Sequence, residues 1–337
     1  MNDGEAPRIG LRALADLATP MAIRVAATLR IADHIAAGRR TAAEIAAATG
    51  SHADALDQVL RHLVTTGLLT RDATGGYATT ELGEQLRDDH PGGRRRWLDV
   101  DVGVGRGDLC LIDLAHTVRT GQPAYPVRYG RTFWDDLAAE PAHSAAFDAL
   151  MGRHIETEAD GVARCYDWAA LGHVVDVGGG SGALLATLLH AHRSMTGLVL
   201  DLPGPVSRAR RRFAEVGLAD RAKAVTGSFF DPLPPGAGGY LLSAVIHDWD
   251  DEASVAILRR CAEAARPHGV VLLLEAVGVD GESASTAMDL RMLAYNGGRE
   301  RGLTALGDLA GRAGLTLRAV HPAGRAAYLS LIELVPV

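Results

Sequence analysis

A glycine-rich segment in the second half of the chain has the composition of a loop that binds a nucleotide-like ligand. Asp176 lies near the end of an apolar run, and Gly178, Gly180 and Gly182 follow just before a helical pattern. Glycine lets the backbone turn tightly and lets a ligand approach the main chain closely. A carboxylate at the start of such a loop can face a cationic amino group. The loop alone leaves a dinucleotide open, because Gly178-x-Gly180-x-x-Ala183 also satisfies the dinucleotide fingerprint.

The ends of the next two apolar runs favour a cofactor that contains adenosine. Asp201 ends the second run, 25 residues after Asp176, and a carboxylate there can accept two hydrogen bonds from ribose hydroxyls. Leu202 and a proline follow it. The third run ends in Gly227-Ser228-Phe229-Phe230, and a phenylalanine ring beside a small polar residue can sandwich and edge-bind an adenine.

An imidazole and a carboxylate follow the fourth and fifth runs. His247 belongs to the sequence His247-Asp248-Trp249, and Glu275 ends the fifth run. The carboxyl ends of parallel strands meet at the edge where ligands bind in open α/β folds. An imidazole with a pKa near 7 suits general-base catalysis, and a carboxylate can orient it and stabilise its charged form. Taken singly, His247 is also typical of a helix start, and Glu275 of a surface charge at a strand end.

The elements that must position these residues alternate between strands and helices. Such alternation predicts a mostly parallel sheet with right-handed crossovers. The predicted strands are 173–177, 197–201, 222–227, 239–245 and 270–275, and the predicted helices are 184–191, 205–216 and 251–265. Two last strands, 316–320 and 328–334, are joined by a short link with Pro322 and Gly324, which requires an antiparallel pair. The predicted fold is therefore α/β, with a Rossmann-like domain over 161–337.

Residues 1–100 have the pattern of a winged helix. Thr41 and Glu44 form a capping box, Ser51 opens the next predicted helix with the same chemistry, and a hairpin turns at Gly75-Gly76. A DNA-binding recognition helix carries positive charge, whereas this one carries Asp54 and Asp57, and the whole chain has a net charge of −7. We therefore expect no nucleic-acid partner and predict a scaffold or dimerisation domain.

Residues 101–160 are expected to form a helical connector. Phe133, Trp134, Phe147 and Met151 recur there at helical spacing, in a chain whose aromatic content is only 5%. The cluster favours core packing, and its alternative is the wall of a pocket for a flat aromatic ligand.

Length and composition limit the remaining classes of protein. A chain of 337 residues exceeds the usual size of one hydrophobic core, which favours more than one domain. We expect no membrane-spanning helix, no secretory signal and no disulfide framework, and hence a cytoplasmic protein. We also expect no metal site, because no run of His, Cys, Asp and Glu has metal-ligand spacing.

Taken together, these motifs resemble the S-adenosylmethionine-dependent O-methyltransferases. The family includes plant caffeate and flavonoid enzymes and bacterial enzymes that tailor aromatic polyketides. Within it, the likeness is greatest to the naphthoate O-methyltransferases of enediyne-type antibiotic pathways. The resemblance runs from about residue 10 to the C-terminus and rests on the glycine loop, Asp201-Leu202-Pro203, Gly227-Ser228-Phe229-Phe230, His247-Asp248-Trp249 and Asn296-Gly297-Gly298-Arg299-Glu300-Arg301.

The resemblance implies a role for each matching residue. It implies a homodimer formed through the N-terminal domain and His247 as general base, flanked by Glu275 and Glu300. The implied S-adenosylmethionine site comprises Asp176, Gly178, Gly180, Gly182, Asp201, Leu202, Ser228, Phe229, Ser243, Trp249 and Arg153, although plant members often carry Lys where this chain has Ser243. The expected acceptor pocket comprises Trp134, Phe147, Met151, Met292, Tyr295, Asn296 and Arg12, with Arg12 reaching from a partner subunit to a substrate carboxylate.

Three alternatives stay open at this stage. One is an NAD-dependent oxidoreductase, which leaves His247-Asp248-Trp249 unexplained. Another is a regulator that binds a small ligand and DNA, against which Asp54 and Asp57 count. The third is a methyltransferase-like enzyme that uses the same cofactor for another reaction, such as hydroxylation or decarboxylation.

Overall fold

The computed structural model describes residues 10–277, 285–323 and 329–337. The chain divides into two compact units, one that extends to Leu109 and one that begins at Cys110.

The first unit is mainly helical and carries one small hairpin. Its helices are α1 (Leu11–Leu14), α2 (Ala18–Thr28), α3 (Ile31–Ala36), α4 (Ala42–Thr49), α5 (Ala53–Thr65), α6 (Glu81–Glu84), α7 (Arg94–Leu98) and α8 (Gly103–Asp108). Strands β1 (Leu69–Arg71) and β2 (Tyr77–Thr79) pair antiparallel, as the glycine turn predicts. This order of helices followed by a hairpin is the expected winged-helix pattern.

Local sequence explains where the helices of the hairpin region begin. Thr41 and Glu44 form the predicted capping box at the start of α4. The prediction for α5 was wrong by one residue, because His52, not Ser51, caps that helix through its ring nitrogen. Asp57 of α5 accepts a hydrogen bond of 2.6 Å from the Tyr77 hydroxyl, so this acidic side chain ties α5 to the hairpin.

The second unit begins with helices that precede its sheet. They are a 3₁₀ turn at Leu109–Asp113, which starts at the last residue of the first unit, and α9 (Leu114–Thr120), α10 (Tyr125–Tyr129), α11 (Phe133–Ala139) and the long α12 (Pro141–Arg164). Thr132 caps α11, with its side chain accepting the N–H of Asp135.

Seven strands of the described residues form one sheet in the order β5-β4-β3-β6-β7-β9-β8. They are β3 (His173–Val177), β4 (Thr196–Asp201), β5 (Ala222–Thr226), β6 (Gly239–Ser243), β7 (Val270–Ala276), β8 (Leu315–Ala323) and β9 (Leu329–Pro336). The helices along this part of the chain are α13 (Ala183–Ala191), α14 (Pro203–Glu215), α15 (Asp251–Ala265), α16 (Thr286–Asn296) and α17 (Leu303–Arg312), with 3₁₀ turns at Trp168–Leu171 and Ile246–Asp248.

The pairing confirms the predicted mixed sheet. Strands β3 to β7 pair in parallel, and β9 pairs antiparallel with both β7 and β8. Large buried clusters pack on the sheet, which fits a parallel sheet covered by helices on both faces. The carboxyl ends of β3, β4, β6 and β7 therefore meet at one edge, where Val177, Asp201, Ser243 and Ala276 end their strands.

Two strand boundaries differ from the prediction. Strand β6 ends at Ser243, not 245, because Ala244 has a left-handed φ of +54° that turns the chain out of the sheet. Pro322 belongs to β8, opposite Ser330, although it was predicted to lie in the link between the last strands. Gly324 and Tyr328 lie outside the described residues.

Candidate functional site

The glycine loop leaves open space at the carboxyl end of β3. Gly180 has a φ of +57°, and a Cβ atom added there meets nothing within 4 Å. By contrast, a Cβ on Gly182 would lie 2.6 Å from the Phe213 ring of α14, so this glycine lets the loop approach the helix closely. Gly178 donates its N–H to the carbonyl of Leu200 at 2.8 Å, which fixes the loop to β4.

Asp201 organises the loop from the end of β4. Its Oδ2 accepts the N–H of Gly180 at 2.8 Å, and its Oδ1 accepts the N–H of Leu202 at 2.6 Å. Burial nevertheless raises the pKa of Asp201 to about 6, against the two backbone donors that lower it. Each oxygen retains lone-pair capacity for a further donor, such as a hydroxyl.

Asp176 is a predicted cofactor residue whose carboxylate is buried without a hydrogen-bond donor among the described residues. It is 1% exposed, and neither carboxylate oxygen accepts a hydrogen bond from the described residues. Burial, with a smaller contribution from the charge of Asp201, raises the pKa of Asp176 to about 7. A buried carboxylate with no donor costs free energy, so a cationic or donor group on a ligand would relieve it.

Aromatic rings line the neighbouring part of the edge. Phe229 lies 5.7 Å from the Trp249 ring, and Phe230 lies 5.0 Å from it, both edge-on. On its other side Trp249 stacks nearly parallel to Trp134, at 6.5 Å and 13°. Ser228, beside these rings, accepts the N–H of Phe230 at 3.2 Å. The structure thus groups Ser228 and Phe229, predicted to bind the adenine, with Trp249, predicted to line the cofactor site.

His247 lies among three carboxylates. Its Nδ1 is 3.0 Å from Oε2 of Glu275 and 3.7 Å from Oε1 of Glu300, while its Nε2 is 3.8 Å from Oδ1 of Asp248. The contact to Glu275 lacks the alignment of a hydrogen bond. Glu275 and Glu300 are buried, and the His247 ring is 18% exposed, so one edge of the imidazole remains accessible.

The carboxylates decide the charge of this cluster. Burial lowers the pKa of His247, but Glu275, Asp248 and Glu300 outweigh it and raise the pKa to about 10. Burial also raises the pKa of Glu300 to about 7 and that of Asp248 to about 6. The carboxylates thus favour the cationic form of His247 in the ligand-free protein.

A second aromatic group surrounds the predicted acceptor pocket. Phe133 contacts Trp134, Phe147 and Tyr295, with ring centroids 5.2–5.5 Å apart. Phe133 and Tyr295 are core residues, as core packing predicts, whereas Trp134 and Phe147 are half-buried, which leaves the pocket interpretation open for these two. The indole N–H of Trp134 is buried and donates to no described acceptor.

The remaining predicted residues occupy more varied places. Met292 is buried in α16, and Met151 is half-buried in α12. Asn296, at the end of α16, places Nδ2 3.5 Å from Oδ1 of Asp248. Ser243 is half-buried at the end of β6, whereas Arg153 is exposed on α12. Arg12 is exposed on α1 of the first unit.

Sequence reasoning missed the residues that hold the His247 turn. Arg301 is 5% exposed and donates to the carbonyls of Ile246 and Trp249 at 3.0 and 2.8 Å. A Cβ on Gly298 would lie 2.2 Å from the His247 carbonyl, so only glycine permits this approach. Both residues belong to the motif 296–301, so this motif was the sequence feature that could have identified them.

A buried ion pair near Asp201 was also missed. Arg208 of α14 donates to Asp148 of α12 at 2.6 Å and to the Ser144 hydroxyl at 2.6 Å. The pair joins α12 to α14, and its two charges have opposite effects on the pKa of Asp201.

The described residues offer no group of His, Cys, Asp and Glu arranged to hold a metal ion. None of the described helices is long and apolar enough to cross a membrane.

Comparisons with known proteins agree with this geometry. A model of O-methyltransferase domains matches residues 111–316, and a model of O-methyltransferase dimerisation domains matches residues 11–88. The chain is 66% identical over 329 residues to the 2,7-dihydroxy-5-methyl-1-naphthoate 7-O-methyltransferase of Streptomyces carzinostaticus, and the match covers 98% of each protein. It is 45% identical over 320 residues to aclacinomycin 10-hydroxylase RdmB of Streptomyces purpurascens, covering 93% of this chain and 86% of that protein.

A solved structure is similar throughout its length. The O-methyltransferase NcsB1 from neocarzinostatin biosynthesis, in complex with S-adenosylmethionine and 2-hydroxy-5-methyl naphthoic acid, superposes with a TM-score of 0.94 at 65% identity. The match covers 98% of this chain and 100% of that chain.

Replacing Asp176 by Asn should stabilise the ligand-free protein in a pH-dependent way. The folded-state pKa of about 7 exceeds the ordinary value of 3.8, so the folded state loses stability as pH rises between the two. We expect Asp176→Asn to raise the free energy of unfolding most at about pH 8.5, and by clearly less at about pH 5, where only part of the range between the two pKa values has been crossed. Urea unfolding at both pH values measures this. The exposed Asp308→Asn is the control, and an equal effect at both pH values would contradict the assignment.

Replacing Glu275 by Gln should lower the pKa of His247. Glu275 is the largest contribution that raises it, so loss of this charge disfavours the imidazolium. An NMR titration of the histidine ring, assigned with His247→Gln, measures the shift. We expect a smaller decrease in Glu300→Gln, whose oxygen lies farther from the ring. A His247 pKa that does not change in Glu275→Gln would refute the role of this ion pair.

Proposed function

This chain belongs to the O-methyltransferase family, and we propose that it methylates a phenolic hydroxyl of a naphthoate or another polyketide-derived aryl acid in natural-product biosynthesis. The observation that carries the proposal is the 66% identity, across 98% of both proteins, to a naphthoate 7-O-methyltransferase. The structure supports it with an open glycine loop, a half-buried histidine beside buried carboxylates and an aromatic cluster.

The residues at this edge fit S-adenosylmethionine as the methyl donor, with S-adenosylhomocysteine as product. The open space at Gly180 supports our assignment of the methionine part to the loop that contains Gly178, Gly180 and Gly182. We assign Asp201 and Leu202 to the ribose, Ser228, Phe229 and Trp249 to the adenine, and Asp176 to the amino group. Ser243 and Arg153 stay proposed contacts. When bound, this cofactor supplies an electrophilic methyl group on a cationic sulfur.

We assign His247 to the proton of the acceptor hydroxyl. Nδ1 faces Glu275, which leaves Nε2 as the atom that receives a proton. A phenol has an ordinary pKa near 10, as does the imidazolium in this cluster, so the transfer is nearly balanced in free energy. Because the neutral imidazole is the base, turnover should rise with pH through the neutral range. Glu275 and Glu300 orient the ring and stabilise its charge after the transfer.

The acceptor is expected to lie against aromatic and methionine side chains, of which Trp134, Phe147 and Met151 are half-buried. Trp134, Phe147, Met151, Met292 and Tyr295 suit a flat fused ring. The Asn296 amide can donate a hydrogen bond to an oxygen on the acceptor ring. That bond would replace its long 3.5 Å contact with Asp248.

A homodimer is proposed from the dimerisation-domain match over residues 11–88. Leu11, Leu14 and Leu17 are strongly exposed in and just after α1, which supports an apolar contact with a second copy. Arg12 of the same helix is proposed to pair with a substrate carboxylate across that contact. No nucleic-acid partner and a cytoplasmic location stay predictions.

One alternative has specific support. A relative at 45% identity is named a hydroxylase, so the same fold and edge can serve another reaction. NAD-dependent oxidation and DNA-linked regulation have no corresponding observation in their favour.

Binding and turnover together test the proposal. We expect calorimetric titration to give a Kd on the order of 1 μM for S-adenosylhomocysteine and no binding of NAD. With S-adenosylmethionine, hydroxylated naphthoic acids should yield methyl ethers detected by mass spectrometry. In a parallel assay supplied with molecular oxygen and a thiol reductant, hydroxylated but unmethylated products would favour the alternative, and NAD binding would refute the cofactor assignment.

Replacing His247 by Gln should remove the proton acceptor and leave the cofactor site intact. We expect kcat to fall by about 100-fold or more, with little change in the affinity for S-adenosylhomocysteine. The remaining activity should follow the ionisation of the phenol itself. Turnover within a few-fold of the unsubstituted enzyme would show that positioning suffices and that His247 is not the base.

A further inference from the structure

The turn that carries His247 is held by two side chains of opposite charge. Glu275 accepts the N–H of Ile246 at 3.0 Å through Oε1. Arg301 donates Nη1 to the carbonyl of the same residue at 3.0 Å and Nη2 to the carbonyl of Trp249 at 2.8 Å. The backbone on both sides of His247 is thus fixed by charge-assisted hydrogen bonds, which are stronger than neutral ones.

The guanidinium is itself held in place. Its Nη2 and Nε contact Oδ1 of Asp251, at the start of α15, at 2.8 and 3.2 Å. Asp250 caps the same helix. The Arg301 side chain is 2% exposed, so its geometry is set by these partners and not by solvent. A planar fork with several donors can bind two carbonyls and a carboxylate together, whereas an ammonium cannot reproduce that arrangement.

The segment 298–301 therefore acts on His247 from two directions. Glu300 approaches the imidazole, and its N–H is anchored by Oδ1 of Asp289 at 2.9 Å. The next residue, Arg301, binds the main chain of the turn from which the imidazole projects. Gly298 completes the contact through its close approach to the His247 carbonyl.

We propose that Arg301 is a positioning residue for methyl transfer: by binding the carbonyls of Ile246 and Trp249, it fixes the His247 imidazole against Glu275 and the Trp249 ring in the aromatic group. The inference deepens the proposed function and rests on it for its kinetic part. A displacement of the reacting groups by about 1 Å is enough to cost about 100-fold in rate.

The experiment compares Arg301→Lys and Arg301→Gln with a matched control, Arg299→Gln. Arg299 belongs to the same segment and pairs with the same Asp251, but among the described contacts its guanidinium does not reach the turn. The Arg301→Lys variant keeps a positive charge opposite Asp251 but lacks the planar guanidinium that binds both carbonyls. Asp251→Asn is a milder variant that weakens the support of Arg301 at a half-exposed position.

Two readouts separate the inference from the proposed function. The first is the NMR titration of the His247 ring in the substrate-free protein, in which we expect Arg301→Lys to lower the pKa because the ring moves away from Glu275. The second is kcat, which we expect to fall by about 10- to 100-fold in Arg301→Lys and further in Arg301→Gln. Arg299→Gln should match the unsubstituted protein in both.

The outcomes are distinct. If the unsubstituted protein makes no methyl ether, the proposed function fails and the NMR titration still decides the role of Arg301. An unchanged His247 pKa and kcat in folded Arg301→Lys, or equal losses in Arg299→Gln, would overturn the inference. If circular dichroism shows that both Arg301 variants fail to fold, Asp251→Asn tests the inference instead. A positioning role of Arg301 then requires smaller decreases in the His247 pKa and in kcat.

Discussion

The burial of a histidine among three carboxylates is the interaction on which the rest of this site depends. A cationic His247 is the charge that makes buried Glu275 and Glu300 tolerable, and those carboxylates in turn hold the imidazole cationic. Such a cluster is stable only if its geometry is fixed, because an unpaired buried charge is costly. The turn 246–249, the left-handed Ala244 and the segment 298–301 supply that geometry from three directions.

The buried carboxylates of the proposed cofactor site, unlike those around His247, have no cationic side chain among the described residues in contact with Asp176. Asp176 and Asp201 are acidic groups whose pKa values are raised by burial, and the described residues place no cation on Asp176. The ligand-free protein therefore loses stability at this point as pH rises from the ordinary carboxyl pKa of 3.8 to the raised folded-state values of about 6 and 7. A bound cationic ligand would offset that penalty. Part of the binding free energy would then come from relieving the unfavourable burial of Asp176. The two clusters therefore differ in charge balance, because His247 lies within 4 Å of carboxylates whereas the described residues give Asp176 no cationic partner.

Two relatives of this chain are named for different reactions. A naphthoate O-methyltransferase and a hydroxylase lie at 66% and 45% identity to this chain, both over most of its length. A shared fold therefore does not decide the reaction, which depends on the groups that meet the acceptor. We propose that in this chain those groups include His247 with the buried Glu275 and Glu300, an arrangement that suits the removal of a proton from a phenol.

The sequence by itself determined the order of strands and helices, the antiparallel end of the sheet and the nucleotide loop, because apolar periodicity and glycine spacing are local properties. It also placed His247 and Glu275 at one edge, since strand ends in a parallel sheet converge. Only the tertiary structure decided the charge of His247, because desolvation and three carboxylates from distant positions compete at one ring. The same holds for the contacts of Arg301 and for the division of the aromatic residues into buried and half-buried side chains. These depend on distances between residues far apart in the chain, which spacing along the sequence does not encode.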